Sequence, residues 1–187
     1  PLVRVPADQF WLATRLLDAG ALGIVMPHVN TPDEARAIVR HLRYPPIGHR
    51  SVAGALPQLD FRAPKWSELT ATIEAAVLIV VMLETPQAIA NAEAIAAVPG
   101  IDVLLIGTGD LAAEHGVPDD LASPVIAAAY VVFKFPAEDG EDEFRYQFSH
   151  NRANVSGFLI LLYTGQGMYT KKLYIPFLHK WLIARAL

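Results

Sequence analysis

The sequence predicts an α/β fold in which parallel strands alternate with helices. Three observations carry that prediction. Short apolar runs recur between turn residues, the stretches between them carry helical periodicity, and the links are short. The strand runs are nearly continuous in apolar residues, as expected of strands covered on both faces. Two of the runs, Val81-Met82-Leu83 and Leu104-Leu105-Ile106-Gly107, deliver an acid where they stop, Glu84 and Asp110.

The elements follow in order. Leu2-Val3-Arg4-Val5 is a short strand, and Phe10, Trp11, Leu12, Leu16 and Leu17 then line one face of a helix over 8–19 that Gly20 ends. Gly23-Ile24-Val25-Met26-Pro27 is the next strand. Thr31-Pro32-Asp33-Glu34 opens a helix to about Leu42: the hydroxyl caps it, Pro32 fits the first position, and acids in the first turn suit the helix dipole. Residues 44–66 are rich in Pro and Gly and predict a long loop, a length usually tied to function. A helix over about 67–74 leads into the strand ending at Glu84. One helix from Thr85 to about Ala97, closed by Gly100, precedes the strand at 102–106.

Composition bounds the possibilities. The 187 residues are 53% hydrophobic, enough for one core, and short of the roughly 200–250 residues of a complete eight-fold barrel. No cysteine is present, which removes disulfides and thiolate metal sites and favours a reducing, cytoplasmic location. A net charge of −4 leaves no nucleic-acid footprint. The apolar runs at 75–83 and 157–163 are too short to span a membrane. The chain starts at Pro1 without an initiator Met or a signal-like segment, so a missing N-terminus is expected. Beyond about residue 130 the βα rhythm stops: the last 62 residues hold 12 of the 17 aromatics, and 138–143 is an acidic run. Residues 130–187 are therefore an unassigned, aromatic-rich tail, either an appendage for packing or oligomerisation or a frameshifted or spliced reading.

Glu84 and Asp110 lie one strand–helix unit apart, which in a parallel barrel or open sheet puts them at the C-terminal ends of neighbouring strands. Two carboxylates converging there suit a hard divalent cation. Two unrelated strand-end acids capping the following helices would give the same spacing. Arg4 either pairs with a neighbouring acid or grips an anion. Arg50 either shapes the long loop or acts in the site. His28 lies just past a strand end, where it faces a pocket or satisfies local hydrogen bonds; His49 and His115 fall in loops as bystanders. Gly107-x-Gly109 lacks the third glycine of a dinucleotide fingerprint.

Five segments then occur in a fixed order: Leu2-Val3-Arg4-Val5-Pro6, Gly23-Ile24-Val25-Met26-Pro27, Arg43-Tyr44-Pro45-Pro46-x-Gly48-x-Arg50, Met82-Leu83-Glu84-Thr85 and Gly107-x-Gly109-Asp110-Leu111. Each is weak alone, but together they resemble the class II, metal-dependent pyruvate aldolases of the 4-hydroxy-2-oxoheptanedioate and 2-dehydro-3-deoxyglucarate type. These are relatives of the citrate lyase β-subunit. The resemblance covers about residues 1–129 and implies a partial TIM (β/α)8 barrel, truncated at the N-terminus, as one domain before the tail. It implies that Glu84 and Asp110 bind Mg²⁺ or Mn²⁺, that Arg4 grips a small 2-oxo acid, and that the Gly109 N–H helps hold the pyruvyl carboxylate. The family often has Ala at the Gly109 position and Pro at that of Thr108, departures that leave a backbone contact intact.

The implied activity is cleavage of a 4-hydroxy-2-oxo acid to pyruvate and an aldehyde, and the expected assembly is a homo-oligomer. The family's histidine base sits in an Asp-x-Glu-His stretch before the arginine strand, and this sequence contains no such stretch. A poor catalyst is therefore expected. Two alternatives remain. An acyl-CoA lyase of the citrate lyase kind wants a basic patch, whereas residues 1–125 hold 8 Lys/Arg against 14 Asp/Glu. An inactive barrel fragment would serve only in oligomerisation.

Overall fold

A computed structural model describes residues 1–131 and 158–162. Four strands lie side by side in chain order, all parallel: β1 (Leu2–Arg4), β2 (Gly23–Met26), β3 (Leu78–Leu83) and β4 (Val103–Gly107). Their register stacks Arg4, Val25, Val80 and Val103 across the sheet. Between them run α1 (Phe10–Asp18), α2 (Pro32–Leu42), α3 (Trp66–Ala76), α4 (Pro86–Ala90) and α5 (Ala92–Ala96). After β4 come α6 (Thr108–Glu114) and α7 (Pro124–Val131).

The helices share one side of the sheet. Ile24, Ile79, Val81, Leu83, Leu104 and Ile106 form a single buried cluster with Leu17, Ile38, Leu42, Leu69, Ile73 and Ile95 from the helices. The alternate strand positions, Val80, Met82, Val103 and Leu105, form a second small cluster with Val25 and Leu78 that no helical residue joins. Successive side chains of a strand point to opposite faces, so the two clusters are the two faces of one sheet. Helices on one face and strand side chains alone on the other describe the wall of a (β/α) barrel, the fold class expected.

Local chemistry explains the boundaries. Thr31 accepts the Glu34 N–H while the Glu34 carboxylate accepts the Thr31 N–H, a capping box at the start of α2. Thr85 caps α4 through the Ala88 N–H. Gly20 and Gly100 end α1 and the α5 turn at φ +111° and +100°, a backbone region that glycine adopts without cost. At the N-terminal ends of β3 and β4, the buried Arg43 guanidinium donates to Glu74, Asp102 and the carbonyls of Gly100 and Val77. One side chain thus ties α2, α3 and the turn before β4.

Three features depart from the expectations. The single helix over 85–97 is two, α4 and α5, separated at Asn91 (φ −96°, ψ 4°), whose side-chain amide donates to the Asn30 carbonyl at 2.7 Å. Asp110 is not at the strand end itself but in the first turn of α6, where an acid suits the helix dipole. A fifth strand, β5 (Phe158–Leu162), joins the other edge of β4 antiparallel, with Gly107 opposite Phe158, so the sheet is not wholly parallel. An apolar run without alternation does not itself specify strand direction. The remaining tail, including the acidic run and the question of its origin, lies outside the described residues.

Candidate active site

The C-terminal ends of β1 to β4 bring the predicted residues together. Glu84 follows β3 directly and is 0% exposed. Its Oε2 accepts the His28 backbone N–H at 2.8 Å, and the His28 Nδ1 lies 3.3 Å from the same oxygen. Its Oε1 is buried with no hydrogen-bond partner, and Arg4 Nη2 stands 3.9 Å from it. His28, Glu84 and Asp110 each offer one donor atom, and the three atoms lie within 4.8 Å of one another. Arg4 and His28 are about half-exposed, and Asp110 is exposed, so the buried carboxylate forms the floor of an open cluster.

Burial raises the Glu84 carboxyl above its ordinary value. The His28 N–H opposes the rise by favouring the charged form, and the facing Asp110 carboxylate adds to it. A fully buried carboxylate with one oxygen lacking a hydrogen bond and a second acid beside it is costly unless a proton or a cation compensates. The set suits a divalent ion: its carboxylate donors are hard oxygens, and one of them has no hydrogen-bond partner.

Gly107 makes room for this arrangement. A Cβ there would fall 2.4 Å from Glu84 Cγ and 2.6 Å from Oε1. A Cβ at Gly109 would meet nothing within 4 Å, so that glycine is free of packing demands. The Gly109 N–H lies in the first turn of α6, where amides have no acceptor within the helix.

The loop after β2 is held to β3 by its own network. The Val29 N–H donates to the Met82 carbonyl at 3.0 Å, the Asn30 side-chain amide donates to the His28 carbonyl at 3.2 Å, and Thr85 donates to the Asn30 side chain. The Asn30 N–H donates to Glu34 at 2.6 Å. His28 itself sits at φ +54°.

The other candidates separate. Arg50 is buried, pairs with Asp18 at 2.7 Å and lies over the Tyr44 ring at 4.7 Å, so it ties the long loop to the end of α1. In that loop Gly48 has no room for a side chain, since a Cβ would meet the Arg43 and Val39 carbonyls at 2.2 and 2.6 Å. His49 is exposed, and His115 caps the end of α6; neither joins the cluster. His28 is the residue that spacing undervalued. Its position past a strand end was the available signal, and its left-handed backbone was not readable.

An acid pair and an arginine thus converge on the C-terminal rim of a (β/α)-barrel wall. Residues 1–132 match the HpcH/HpaI aldolase/citrate lyase family, and the chain belongs to it. It is 43% identical over 120 residues to a 4-hydroxy-4-methyl-2-oxoglutarate aldolase of Chaetomium globosum, covering 63% of this chain and 45% of that protein. It is 44% identical over 130 residues to a 4-hydroxy-2-oxovalerate aldolase of Rhodococcus jostii, covering 68% and 48%. Among solved structures, an HpcH/HpaI aldolase from Desulfitobacterium hafniense superposes with a TM-score of 0.66 at 31% identity, over 70% of this chain and 50% of that one. A family protein from Burkholderia cenocepacia gives 0.63 at 38% identity, over 72% and 53%. The chain spans about half the length of the curated relatives it matches. Among the described residues no helix is long and apolar enough to cross a membrane.

Proposed function

We propose that this chain carries the cation- and oxo-acid-binding part of an aldolase that cleaves a 4-hydroxy-2-oxo acid to pyruvate and an aldehyde. The observation that carries the reading is Glu84: fully buried, one oxygen without a hydrogen bond, facing Asp110, with Arg4 3.9 Å from that oxygen. The names of the relatives fit the same chemistry. Glu84 and Asp110 would hold Mg²⁺ or Mn²⁺. A bound cation supplies Lewis-acid stabilisation of the negative charge that develops on the 2-oxo oxygen as the carbon–carbon bond breaks.

The chain's own residues do the rest. The Arg4 fork binds the substrate carboxylate in two parallel hydrogen bonds. The Gly109 N–H, in the first turn of α6, donates to the same group. Gly107 and the His28 N–H fix the Glu84 carboxylate, so the charge is placed before substrate arrives and needs no reorganisation.

The test is calorimetry with oxamate, an unreactive analogue of pyruvate, together with a retro-aldol assay read as pyruvate release. The reading requires that oxamate bind in the presence of Mn²⁺, more weakly without it, and that in Glu84→Gln binding fall to the metal-free level whether or not Mn²⁺ is present, with any pyruvate release lost. Oxamate binding that is indifferent to Mn²⁺ and to Glu84 would contradict it.

A further inference from the structure

The loop that follows β2 places an imidazole where the cation reading needs only carboxylates. His28 Nδ1 lies 3.3 Å from Glu84 Oε2, an oxygen that already accepts the His28 backbone N–H at 2.8 Å. The ring is therefore not supplying the one donor that Glu84 lacks, because the unpartnered oxygen is Oε1. What the ring does achieve is convergence: its nitrogen, a Glu84 oxygen and an Asp110 oxygen lie within 4.8 Å of one another. Ligand atoms about 2.0–2.6 Å from a shared ion fall within that span.

The placement is built in. His28 adopts φ +54°, a left-handed backbone uncommon outside glycine, and it turns the N–H and the ring of one residue toward the same carboxylate. Hydrogen bonds from the two residues that follow hold it there, from the Val29 N–H to Met82 on β3 and from the Asn30 side chain to the His28 carbonyl. Asn30 in turn is fixed by Thr85 and by Asn91, the residue at which α4 and α5 part. A ring carried this way sits at the cluster before any ligand arrives.

We propose that His28 is a third protein ligand of the cation, so that the site is a one-nitrogen, two-carboxylate face and not a carboxylate pair. The proposal rests on the reading of Glu84 and Asp110 as a cation site. Imidazole suits borderline transition ions, whereas Mg²⁺ favours oxygen alone. The site therefore selects Mn²⁺, Co²⁺ or Zn²⁺ over Mg²⁺ more strongly than two carboxylates would.

Two variants remove the ring and keep the backbone: His28→Asn, because asparagine tolerates the left-handed region, and His28→Gly. The full chain is loaded with Mn²⁺ and studied by pulsed electron paramagnetic resonance, and Co²⁺ and Mg²⁺ affinities are measured by calorimetry. The parent chain should show a directly coordinated ¹⁴N, absent in both variants. Co²⁺ affinity should fall by at least the roughly 10–100-fold seen on losing an outer-sphere partner, with Mg²⁺ affinity nearly unchanged. A carboxylate-dependent Mn²⁺ site with no ¹⁴N coupling, or one whose coupling persists in His28→Asn, would overturn the third ligand and leave the cation site standing. Mn²⁺ binding that is absent, or unaffected by Glu84→Gln, would overturn both.

Discussion

Gly107 offers a sharp test of how the fold positions its central carboxylate. Adding one methyl group, Gly107→Ala, puts a Cβ 2.4 Å from Glu84 Cγ, 2.6 Å from Oε1 and 2.9 Å from Cδ. Carbon atoms pack at about 3.5–4.0 Å, so the Glu84 side chain must retreat by on the order of 1 Å. It has little freedom to do so, being fully buried with Oε2 held by the His28 N–H. Overpacking of this kind costs about 1–3 kcal/mol of stability. The larger effect falls on cation binding, because ligand positions must hold to within about 0.5 Å. Mn²⁺ affinity should drop on the order of 10–100-fold, the usual cost of disturbing a ligand's support. Gly109→Ala is the built-in control. It lies two residues on, its Cβ meets nothing within 4 Å, and its φ is not positive, so affinity and stability should be unchanged or slightly improved. Calorimetric titration with Mn²⁺ and thermal unfolding of both variants read the contrast. A folded Gly107→Ala chain with parental Mn²⁺ affinity would refute the steric argument.

Other outcomes follow from the same geometry. Arg4→Lys keeps the charge and loses the planar fork; oxamate binding should weaken clearly in calorimetry while Mn²⁺ affinity stays within a few-fold. Arg43→Met leaves Glu74 and Asp102 without their buried partner and should cost about 3 kcal/mol, the low end for breaking a buried pair because both acids are partly solvated. Denaturation midpoints would show that loss with Mn²⁺ affinity intact. In chelator, the raised Glu84 carboxyl makes the folded chain bind a proton more readily than the unfolded one. Stability then declines as pH rises from the ordinary carboxyl value through the raised one, and the penalty is complete above it. Glu84→Gln should therefore melt above the parent without metal at pH values above the raised one, the gap closing as pH falls from there toward the ordinary glutamate value.

Much of this arrangement was legible because it depends on local chemistry. Thr31-Pro32-x-Glu34 forms its capping box from adjacent residues, and Gly20 and Gly100 stop helices where a left-handed residue is needed. Glu84 and Asp110 could be paired because one strand–helix unit returns the chain to the same end of the sheet, whatever the side chains between. Arg50 was open between two roles because its partner, Asp18, lies on a different element and only the fold brings it to the loop. The parting of α4 from α5 escaped detection since the apolar periodicity runs on through Asn91, whose bond to Asn30 is a tertiary contact. His28 stood open between a pocket and local hydrogen bonds for a similar reason: nothing in its neighbours encodes φ +54°, and Glu84, 3.3 Å from its ring, lies on a different strand end. The antiparallel pairing of β5 depends on a long-range choice of edge that a uniformly apolar run leaves open.

The central claim is that Glu84 and Asp110 together hold one divalent cation. Calorimetric titration of Mn²⁺ into the parent chain and into the Glu84→Gln, Asp110→Asn double variant tests it most directly. The two substitutions preserve side-chain size and remove both negative charges, so the variant should fold and still fail to bind. The account requires a single saturable site in the parent and none in the variant. Equal Mn²⁺ affinity in the two chains would contradict it.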